Sequence, residues 1–160
     1  MNEITVRPAR KDDYPALISL RGRLLTQHAA FRPDRFCPAE QEMSRKDFLK
    51  MRKPGKFIWL VAADADGRLA GYTLCDRIKR KDYSYFLLDE MYVEEARRGQ
   101  GVGTLLMDAV KDLAAKEGAS LELEVWEPNP AAVRFYERCG FTQQRRRLEW
   151  PAEQDNSHVC

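Results

Sequence analysis

Two adjacent carboxylates, Asp89 and Glu90, interrupt an otherwise apolar stretch that runs from Tyr85 to Val93. A carboxylate in such a stretch is costly to bury unless it has a charged partner or takes part in chemistry. The structural interpretation is an ion pair with a neighbouring arginine. The chemical interpretation is a general base that takes a proton from an acceptor, directly or through a bound water. The residues alone leave both interpretations open.

A glycine-rich segment follows this stretch and could bind an anion. Gly99, Gly101 and Gly103 precede a run of apolar residues at helical spacing, so they occupy a strand-to-helix turn. The first amides of a helix are unpaired and lie at the positive end of its dipole, and glycine lets a phosphate approach the backbone closely. Arg97 and Arg98 add positive charge. The sequence therefore predicts a bound phosphate or pyrophosphate, with a simple tight turn as the alternative.

Nucleotide-binding motifs of similar composition fit this segment poorly. A P-loop requires a lysine before its Ser or Thr, whereas Gly103 is followed directly by Thr104. A Rossmann fingerprint spaces its glycines by two and then three residues, unlike the alternating glycines here. Both dinucleotide and P-loop chemistry are therefore disfavoured.

Two polar residues stand at a helical spacing further along the chain. Asn129 precedes Pro130, a pair that favours the cap and first turn of a helix. Tyr136 comes seven residues after Asn129, about two helical turns, so both lie on the same side of that helix. On the residues alone, Asn129 is a helix cap and Tyr136 is a core aromatic residue beside Phe135.

Together these segments resemble the acyl-coenzyme A site of the GNAT N-acetyltransferase superfamily. The family's pyrophosphate loop, Arg/Gln-x-x-Gly-x-Gly/Ala, is matched by Arg98, Gly101 and Gly103. The family's Asn-x-x-Ala-x-x-x-Tyr followed by Gly-Phe is matched by residues 129–136 and 140–141. The resemblance covers about residues 4 to 148 and is strongest from 87 to 141.

The resemblance implies transfer of an acetyl group from acetyl-coenzyme A to a primary amine, by direct attack in a ternary complex. The acidic pair matches acidic positions of spermidine/spermine-type acetyltransferases, which favours a cationic amine on a small molecule. Acetylation of a protein N-terminus or lysine is the alternative acceptor. A coenzyme A-binding sensor module without turnover is the alternative outside catalysis. No cysteine lies on the predicted central strand, which argues against a covalent route.

The resemblance also implies roles for individual residues. Tyr136 would donate a proton to the departing thiolate, and Asp89 or Glu90 would be the base. The variable segment over the acceptor supplies candidate substrate contacts at Phe31, Asp34 and Phe36, for which a packed connector is an equal alternative. The implied cofactor contacts are Met91, Tyr92, Val93, Arg98, Gly99, Gln100, Gly101, Val102, Gly103, Thr104, Asn129 and Tyr136.

The orientation of the two carboxylates depends on strand alternation. In a regular strand Asp89, Met91 and Val93 share one face, and Leu88, Glu90 and Tyr92 share the other. A bulge in this strand would shift that alternation. The sequence therefore does not decide which face of the strand, and so which of the two carboxylates, meets the acceptor.

The predicted fold is one α/β domain at residues 1–150, with a mixed, mostly antiparallel sheet flanked by helices, followed by a polar tail at 151–160. A charged loop is expected at 76–82, between the third and fourth strands. The predicted strands lie at 4–7, 57–63, 69–75, 85–93, 121–126 and 141–150, and the helices lie after Pro15, at 40–51, after Gly101 and after Asn129.

Composition limits the classes of partner. The 160 residues carry 27 basic and 25 acidic side chains, so no overall charge recruits nucleic acid or a membrane. No apolar run approaches membrane-spanning length, and the N-terminus lacks a signal-peptide pattern. The four cysteines lack metal-site spacing, so we expect reduced thiols, no metal and a cytoplasmic protein. The arginines at 145–147 leave three interpretations open, namely contact with an acidic acceptor, contact with a homodimer partner, and exposed edge charges that discourage strand pairing.

Overall fold

The computed structural model describes residues 3–38 and 42–150, so the predicted tail at 151–160 lies outside the described residues. A short 3-10 turn, Lys11–Asp13, leads into the first helix, and another, Glu95–Arg97, follows the fourth strand. The strands and helices in chain order are β1 (Thr5–Pro8), α1 (Tyr14–Phe31), α2 (Arg45–Met51), β2 (Phe57–Ala63), β3 (Leu69–Lys79), β4 (Ser84–Val93), α3 (Val102–Lys116), β5 (Ser120–Leu123) and α4 (Pro130–Arg138).

The five strands form one sheet in the order β1-β2-β3-β4-β5. All neighbours pair antiparallel except β4 and β5, which are parallel and are joined by the crossover helix α3. One face packs against α1 and α2, and the other packs against α3 and α4. The predicted mixed, mostly antiparallel sheet flanked by helices is confirmed.

The apolar run of β2 follows from this layering. Trp59 and Val61 belong to the core under α1, whereas Ile58 and Leu60 belong to the core under α3. A strand covered by helices on both faces has no polar side, so its residues are apolar throughout rather than in alternation.

Three predicted boundaries are wrong. Strand β3 continues to Lys79 because the charged run pairs with β4 as far as Lys79 with Ser84, and Arg77 in this run also forms an ion pair with Glu117, at an N···O distance of 2.9 Å. Strand β5 ends at Leu123 instead of Trp126. Residues 141–150 form no strand.

The second helix also begins later than predicted. Its start was expected at Glu40, which lies outside the described residues, and residues 42–44 are not helical. The Ser44 side chain accepts a hydrogen bond from the Asp47 amide at 3.1 Å and so caps α2. A side-chain cap stabilises a helix start where it occurs, which explains why α2 is short.

A bulge interrupts the pairing of β3 with β4. Leu74 pairs with Glu90 and Cys75 pairs with Leu88, so Asp89 is an extra residue with no partner on β3. Leu88 therefore packs under α3, whereas Tyr92 packs under α1. The prediction that Leu88 shares a face with Tyr92 is wrong, because a bulge reverses strand alternation beyond it.

The cysteines only partly match their expectation. Cys75 and Cys139 carry free thiols, but Cys37 is disulfide-bonded, so reduced thiols were wrongly expected there. Within the described residues, no helix is both long and apolar enough to cross a membrane.

Close packing at Gly71 leads to a stability prediction. A Cβ on Gly71 would stand 2.6 Å from the Tyr92 carbonyl oxygen, which cannot move without disturbing the pairing of β3 with β4. We expect Gly71→Ala to lower the free energy of unfolding by about 2–3 kcal/mol. Urea denaturation followed by circular dichroism measures the change.

The matched control is Gly22→Ala. Gly22 lies inside α1 and has nothing within 4 Å of the added methyl group. Because alanine is the better helix former, we expect this variant to gain about 0.5–1 kcal/mol. If the free energy of unfolding changed in the same direction in Gly71→Ala and Gly22→Ala, this account of the packing would be contradicted.

Candidate active site

The site begins where β4 and β5 separate. Their parallel pairing runs from Tyr85 with Ser120 to Leu88 with Leu123 and stops there. Strand β4 continues to Val93, so its edge toward β5 is unpaired from Asp89 onward among the described residues. A groove opens between the strands, and Asp89 lies where the separation starts.

The glycine loop lies beyond the C-terminal end of β4 and leads into α3. Gly99 has φ 73° and Gly101 has φ 80°, and nothing lies within 4 Å of a Cβ at either position. Gly101 is the N-cap of α3. Positive φ therefore explains these two glycines, and the backbone at the helix start has no side chain above it.

Gly103 serves a different purpose from the other two glycines. A Cβ there would lie 3.3 Å from the Phe135 ring and 3.5 Å from Met91 Cε. Glycine at this position lets the first turn of α3 approach both α4 and β4.

The two arginines before the loop have different surroundings. Arg98 Nε donates to the Val93 carbonyl oxygen at 3.0 Å, and its guanidinium carbon lies 5.3 Å from the centre of the Tyr92 ring. Arg97 instead pairs with the buried Asp64, with Nη2 to Oδ2 at 3.0 Å. The expectation that both arginines add positive charge at the loop is therefore wrong for Arg97, whose charge is neutralised in the β2–β3 turn.

The adjacent carboxylates also differ. Glu90 is buried and receives hydrogen bonds from Arg21 Nε at 2.9 and 3.1 Å and from the Tyr72 hydroxyl at 2.9 Å. Burial and the nearby Glu90 charge raise the pKa of Tyr72 well above its usual value, so its hydroxyl stays protonated and donates. The ion-pair interpretation thus applies to Glu90.

Asp89 opens into the groove, and no described residue donates a hydrogen bond to its carboxylate. The Asp89 side chain is exposed to the groove, but desolvation by the groove walls raises its pKa, and the negative charges of Glu90 and Asp76 raise it further. A carboxylate with a raised pKa is a stronger base than an ordinary one. Among the two acidic residues, Asp89 is the one with a free carboxylate.

Asn129 and Tyr136 both lie along the groove. Asn129 Oδ1 accepts a hydrogen bond from the Ala132 amide at 3.2 Å, which confirms it as the cap of α4. The Tyr136 ring packs against Phe135 and Phe141, with centroid distances of 5.4 and 5.9 Å. Burial raises the pKa of Tyr136 to about 12, so the phenol is protonated at neutral pH.

The connector after α1 forms the opposite wall of the groove. Phe36 lies between His28, at 4.9 Å between ring centroids, and Trp126, at 5.8 Å. The guanidinium carbon of Arg32 lies 5.2 Å from the centre of the Trp126 ring. Burial lowers the pKa of His28. This wall therefore combines aromatic rings with a cation.

The groove brings together most of the predicted site residues. Two predicted cofactor residues direct their side chains away from the groove. The Val102 side chain is buried in the core between α3 and the sheet, and the Gln100 side chain donates to the Ala96 carbonyl oxygen at 2.9 Å. The predicted residues on the groove are Phe36, Asp89, Glu90, Met91, Tyr92, Val93, Arg98, Gly99, Gly101, Gly103, Thr104, Asn129 and Tyr136.

Two predicted acceptor contacts do not line the groove. Phe31 packs against His28, with 5.7 Å between ring centroids. Asp34 receives a hydrogen bond from Arg32 at 2.6 Å, which lowers the pKa of its carboxyl to about 2. The packed-connector alternative describes Phe31, whereas the Asp34 side chain is exposed and paired with Arg32.

Sequence reasoning did not identify Arg21, Tyr72 or Trp126. A signal for Arg21 was present, because it occupies the apolar stripe of α1 between Leu17 and Leu24. A charged residue at such a position needs a buried partner. Its partner is Glu90, 69 residues away in the sequence, and nothing in the local pattern specifies that pairing.

The described residues contain no group of three or more histidine, cysteine or acidic side chains arranged to hold a metal ion.

Comparison with known proteins identifies the family. The model of the acetyltransferase (GNAT) family matches residues 24–141. The chain belongs to the GNAT family. The matched range contains the groove residues from α1 to the end of α4, and GNAT proteins in general use acetyl-coenzyme A.

Two relatives of this GNAT chain are similar over part of their length. The uncharacterized N-acetyltransferase MJ1207 of Methanocaldococcus jannaschii is 30% identical over 108 residues, which cover 59% of this chain and 47% of the relative. The streptothricin acetyltransferase of Streptomyces lavendulae is 36% identical over 83 residues, which cover 51% of this chain and 42% of the relative. The chain thus spans less than half the length of both relatives.

Solved structures share the GNAT fold. A crystal structure of a point mutant of BH1408 from Bacillus halodurans superimposes with a TM-score of 0.86, covering 93% of this chain and 99% of that one. The sequences are 23% identical, so the likeness supports the fold alone.

The burial of Tyr136 predicts a pH effect on stability. Its folded pKa of about 12 exceeds the unfolded value of about 10, so its contribution is complete below pH 10 and is lost as the pH rises toward 12. We expect the wild type to lose about 1 kcal/mol more stability between pH 9 and pH 11 than Tyr136→Phe does. Urea unfolding at both pH values measures the difference. Equal losses of stability in the wild type and in Tyr136→Phe would contradict the assigned burial of Tyr136.

Proposed function

We propose that this protein transfers an acetyl group from acetyl-coenzyme A to a primary amine, by direct attack in a ternary complex. The observation that carries the proposal is the arrangement of the groove. The separation of β4 from β5 leaves an unpaired strand edge, with a carboxylate at one end and an open helix N-terminus at the other. One end suits the acceptor, and the other suits a diphosphate.

The start of α3 fits the pyrophosphate of coenzyme A. The loop from Arg98 to Thr104 offers main-chain amides at a helix N-terminus, where the helix dipole favours negative charge. The open space above Gly99 and Gly101 leaves room for phosphate oxygens to approach those amides. The side chains of Gln100 and Val102 are engaged elsewhere, so their contribution is main-chain.

The unpaired edge of β4 fits the pantetheine arm. Amides at Met91 to Val93 would pair with it as an added strand does, and the same amides would stabilise the oxyanion of the attacked thioester. The Val93 carbonyl already accepts a hydrogen bond from Arg98, which fixes the end of the strand beside the loop. Asn129 caps α4 on the other side of the groove and would position the arm there.

Asp89 is the proposed base. The amine reaches the site as an ammonium ion, and the nitrogen must lose a proton before it can attack the thioester carbon. Asp89 would take that proton, directly or through water, because no described residue donates a hydrogen bond to its carboxylate and desolvation raises its pKa. Acetyl-coenzyme A supplies the activated acyl group, and the amide forms as the carbon–sulfur bond breaks.

Tyr136 is proposed to stabilise the departing thiolate. A thiol has a pKa near 8.5, well below the value of about 12 for this phenol, so complete proton transfer from Tyr136 is uphill. A hydrogen bond from the protonated phenol to the sulfur costs no such transfer. Tyr136 would therefore act mainly as a hydrogen-bond donor, with the proton of the product thiol supplied from the acceptor side.

A cationic small-molecule amine is the proposed acceptor. Asp89 has other negative charges around it, from Asp76 on β3 and from Glu124 just beyond β5. Such surroundings favour a positively charged acceptor over a neutral or acidic one. The name of the Streptomyces relative, which acetylates streptothricin, agrees with an amine acceptor.

Replacing the proposed base tests the catalytic assignment. We expect Asp89→Asn to lower kcat for acetyl transfer by about 100-fold, the usual contribution of a general base, while coenzyme A affinity stays unchanged. Thiol release from acetyl-coenzyme A, with a panel of polyamines, aminoglycosides, amino acids and peptides, measures activity and identifies the acceptor class. Peptides as the best acceptors would favour the protein-directed alternative.

The control for Asp89→Asn is Asp76→Asn, which removes a nearby negative charge that already pairs with Lys56 at 3.2 Å. We expect it to change kcat less than about threefold. Equal losses in the two variants would remove the base role from Asp89.

The loop assignment predicts a change in coenzyme A binding. Gly101→Ala would strain a φ of 80° at the helix start, and we expect the Kd measured by calorimetry to rise by at least about 10-fold. Gly67→Ala is the matched control, since Gly67 has the same φ of 80° and open surroundings but lies in the β2–β3 turn. Coenzyme A binding with no turnover of any amine would favour the sensor-module alternative.

A further inference from the structure

A buried polar network lies behind the proposed base. It joins Arg21 of α1, Glu90 of β4 and Tyr72 of β3, with Arg21 Nη2 at 2.8 Å from Glu90 Oε1 and the Tyr72 hydroxyl at 2.9 Å from Glu90 Oε2. The side chains of Arg21 and Glu90 are 14% and 10% exposed, and Tyr72 is fully buried. Three elements thus meet at one carboxylate, the chain neighbour of Asp89.

Stability alone is a poor explanation for such a network. Removing two charges from water costs several kcal/mol per ion, and apolar residues of similar volume often serve a core equally well. The surrounding core is apolar, with Leu17, Leu24 and Trp59 packed in the same cluster. An ion pair kept in this position calls for a role that apolar residues would not fill.

The geometry connects the network to Asp89 through the bulge. Glu90 pairs with Leu74 and Leu88 pairs with Cys75, so these two pairs bracket Asp89. The hydrogen bonds from Arg21 and Tyr72 hold the Glu90 side chain against α1 and β3, and Glu90 is the residue directly after Asp89. With Glu90 held toward α1, the preceding residue is free to open into the groove.

The network also places opposite charges close to Asp89. Among the described residues, the titratable groups whose charges act on Asp89 or are acted on by it are Glu90 on its own strand, Asp76 and Cys75 on β3, Glu124 beyond β5 and Arg21 on α1. His28 on α1 faces Glu90. After burial, the carboxylates raise the pKa of Asp89, whereas Arg21 lowers it. Arg21 and Glu90 therefore act on Asp89 in opposite directions.

We propose that Arg21 and Glu90 are positioning residues for Asp89, which hold the bulge in place and balance the charge behind its carboxylate. The inference rests on the proposed function, in which Asp89 is the base. Both residues also line the groove, but the role proposed for them acts through Asp89 and not through contact with the thioester. Glu90, the other carboxylate considered as a base, is thereby given a supporting role.

A carboxyl titration tests this inference without any acceptor. Aspartate labelled with ¹³C at its side-chain carboxyl reports each aspartate by NMR, and Asp89→Asn assigns the relevant signal. We expect Glu90→Gln to lower the titration midpoint of Asp89 by about one pH unit, because a neighbouring negative charge is lost while Arg21 keeps its positive charge. We expect Arg21→Gln to raise the midpoint by a similar amount, because Glu90 is left unbalanced.

Two further variants separate this role from a purely structural one. Tyr72→Phe removes a hydrogen bond to Glu90 without changing any charge. The titration midpoint of Asp89 in this variant should therefore stay within about 0.3 pH units of the wild-type midpoint. The double variant Arg21→Gln/Glu90→Gln removes both charges, so the two shifts should largely cancel. The double variant also keeps the test usable if Arg21→Gln alone does not fold.

The outcomes are distinct. Opposite shifts that cancel in the double variant support the inference, whereas shifts of one sign, or none, overturn it. The proposed function is tested separately by Asp89→Asn: full activity in that variant removes the base role even if the opposite shifts are observed. When both proposals hold, the acid limb of the kcat pH profile moves with the NMR midpoint in each variant.

Discussion

The structure depends on the point at which β4 stops pairing with β5. Up to Leu88 the two strands satisfy each other's main-chain groups, and beyond it β4 continues alone on that side. β4 is the fourth of the five strands, and losing its outer neighbour partway along leaves main-chain groups that require other partners. The exposed edge, the bulge at Asp89 and the loop after Val93 all follow one another along this strand, so one interruption in pairing organises the whole groove.

The bulge gives two neighbouring carboxylates different environments. Glu90 is held by Arg21 and Tyr72, whereas Asp89 faces the groove without a donor among the described residues. Adjacent residues of a regular strand would face opposite sides of the sheet, but here the extra residue also lacks a partner on β3. One side chain can therefore carry structure while the next is available for chemistry.

The local elements were predictable because their signals are local. The apolar period of α3, the glycines before it and the Asn129–Pro130 cap each lie within a few residues of the structure they specify. Boundaries that depend on distant partners were not predictable. Strand β3 extends through a charged run because that run pairs with β4 from the other side of the turn, and the pairing of β5 with β4 stops at Leu123.

The sequence by itself determined the family, the layered α/β fold and the residues of the loop and of α4, because motif spacing and apolar period are properties of contiguous segments. Only the tertiary structure decided which carboxylate is paired, that Arg97 is neutralised by Asp64, and that Phe36 meets Trp126 across the groove. Those outcomes depend on contacts between residues far apart in the chain, and one bulge is enough to reverse which side chain faces which partner.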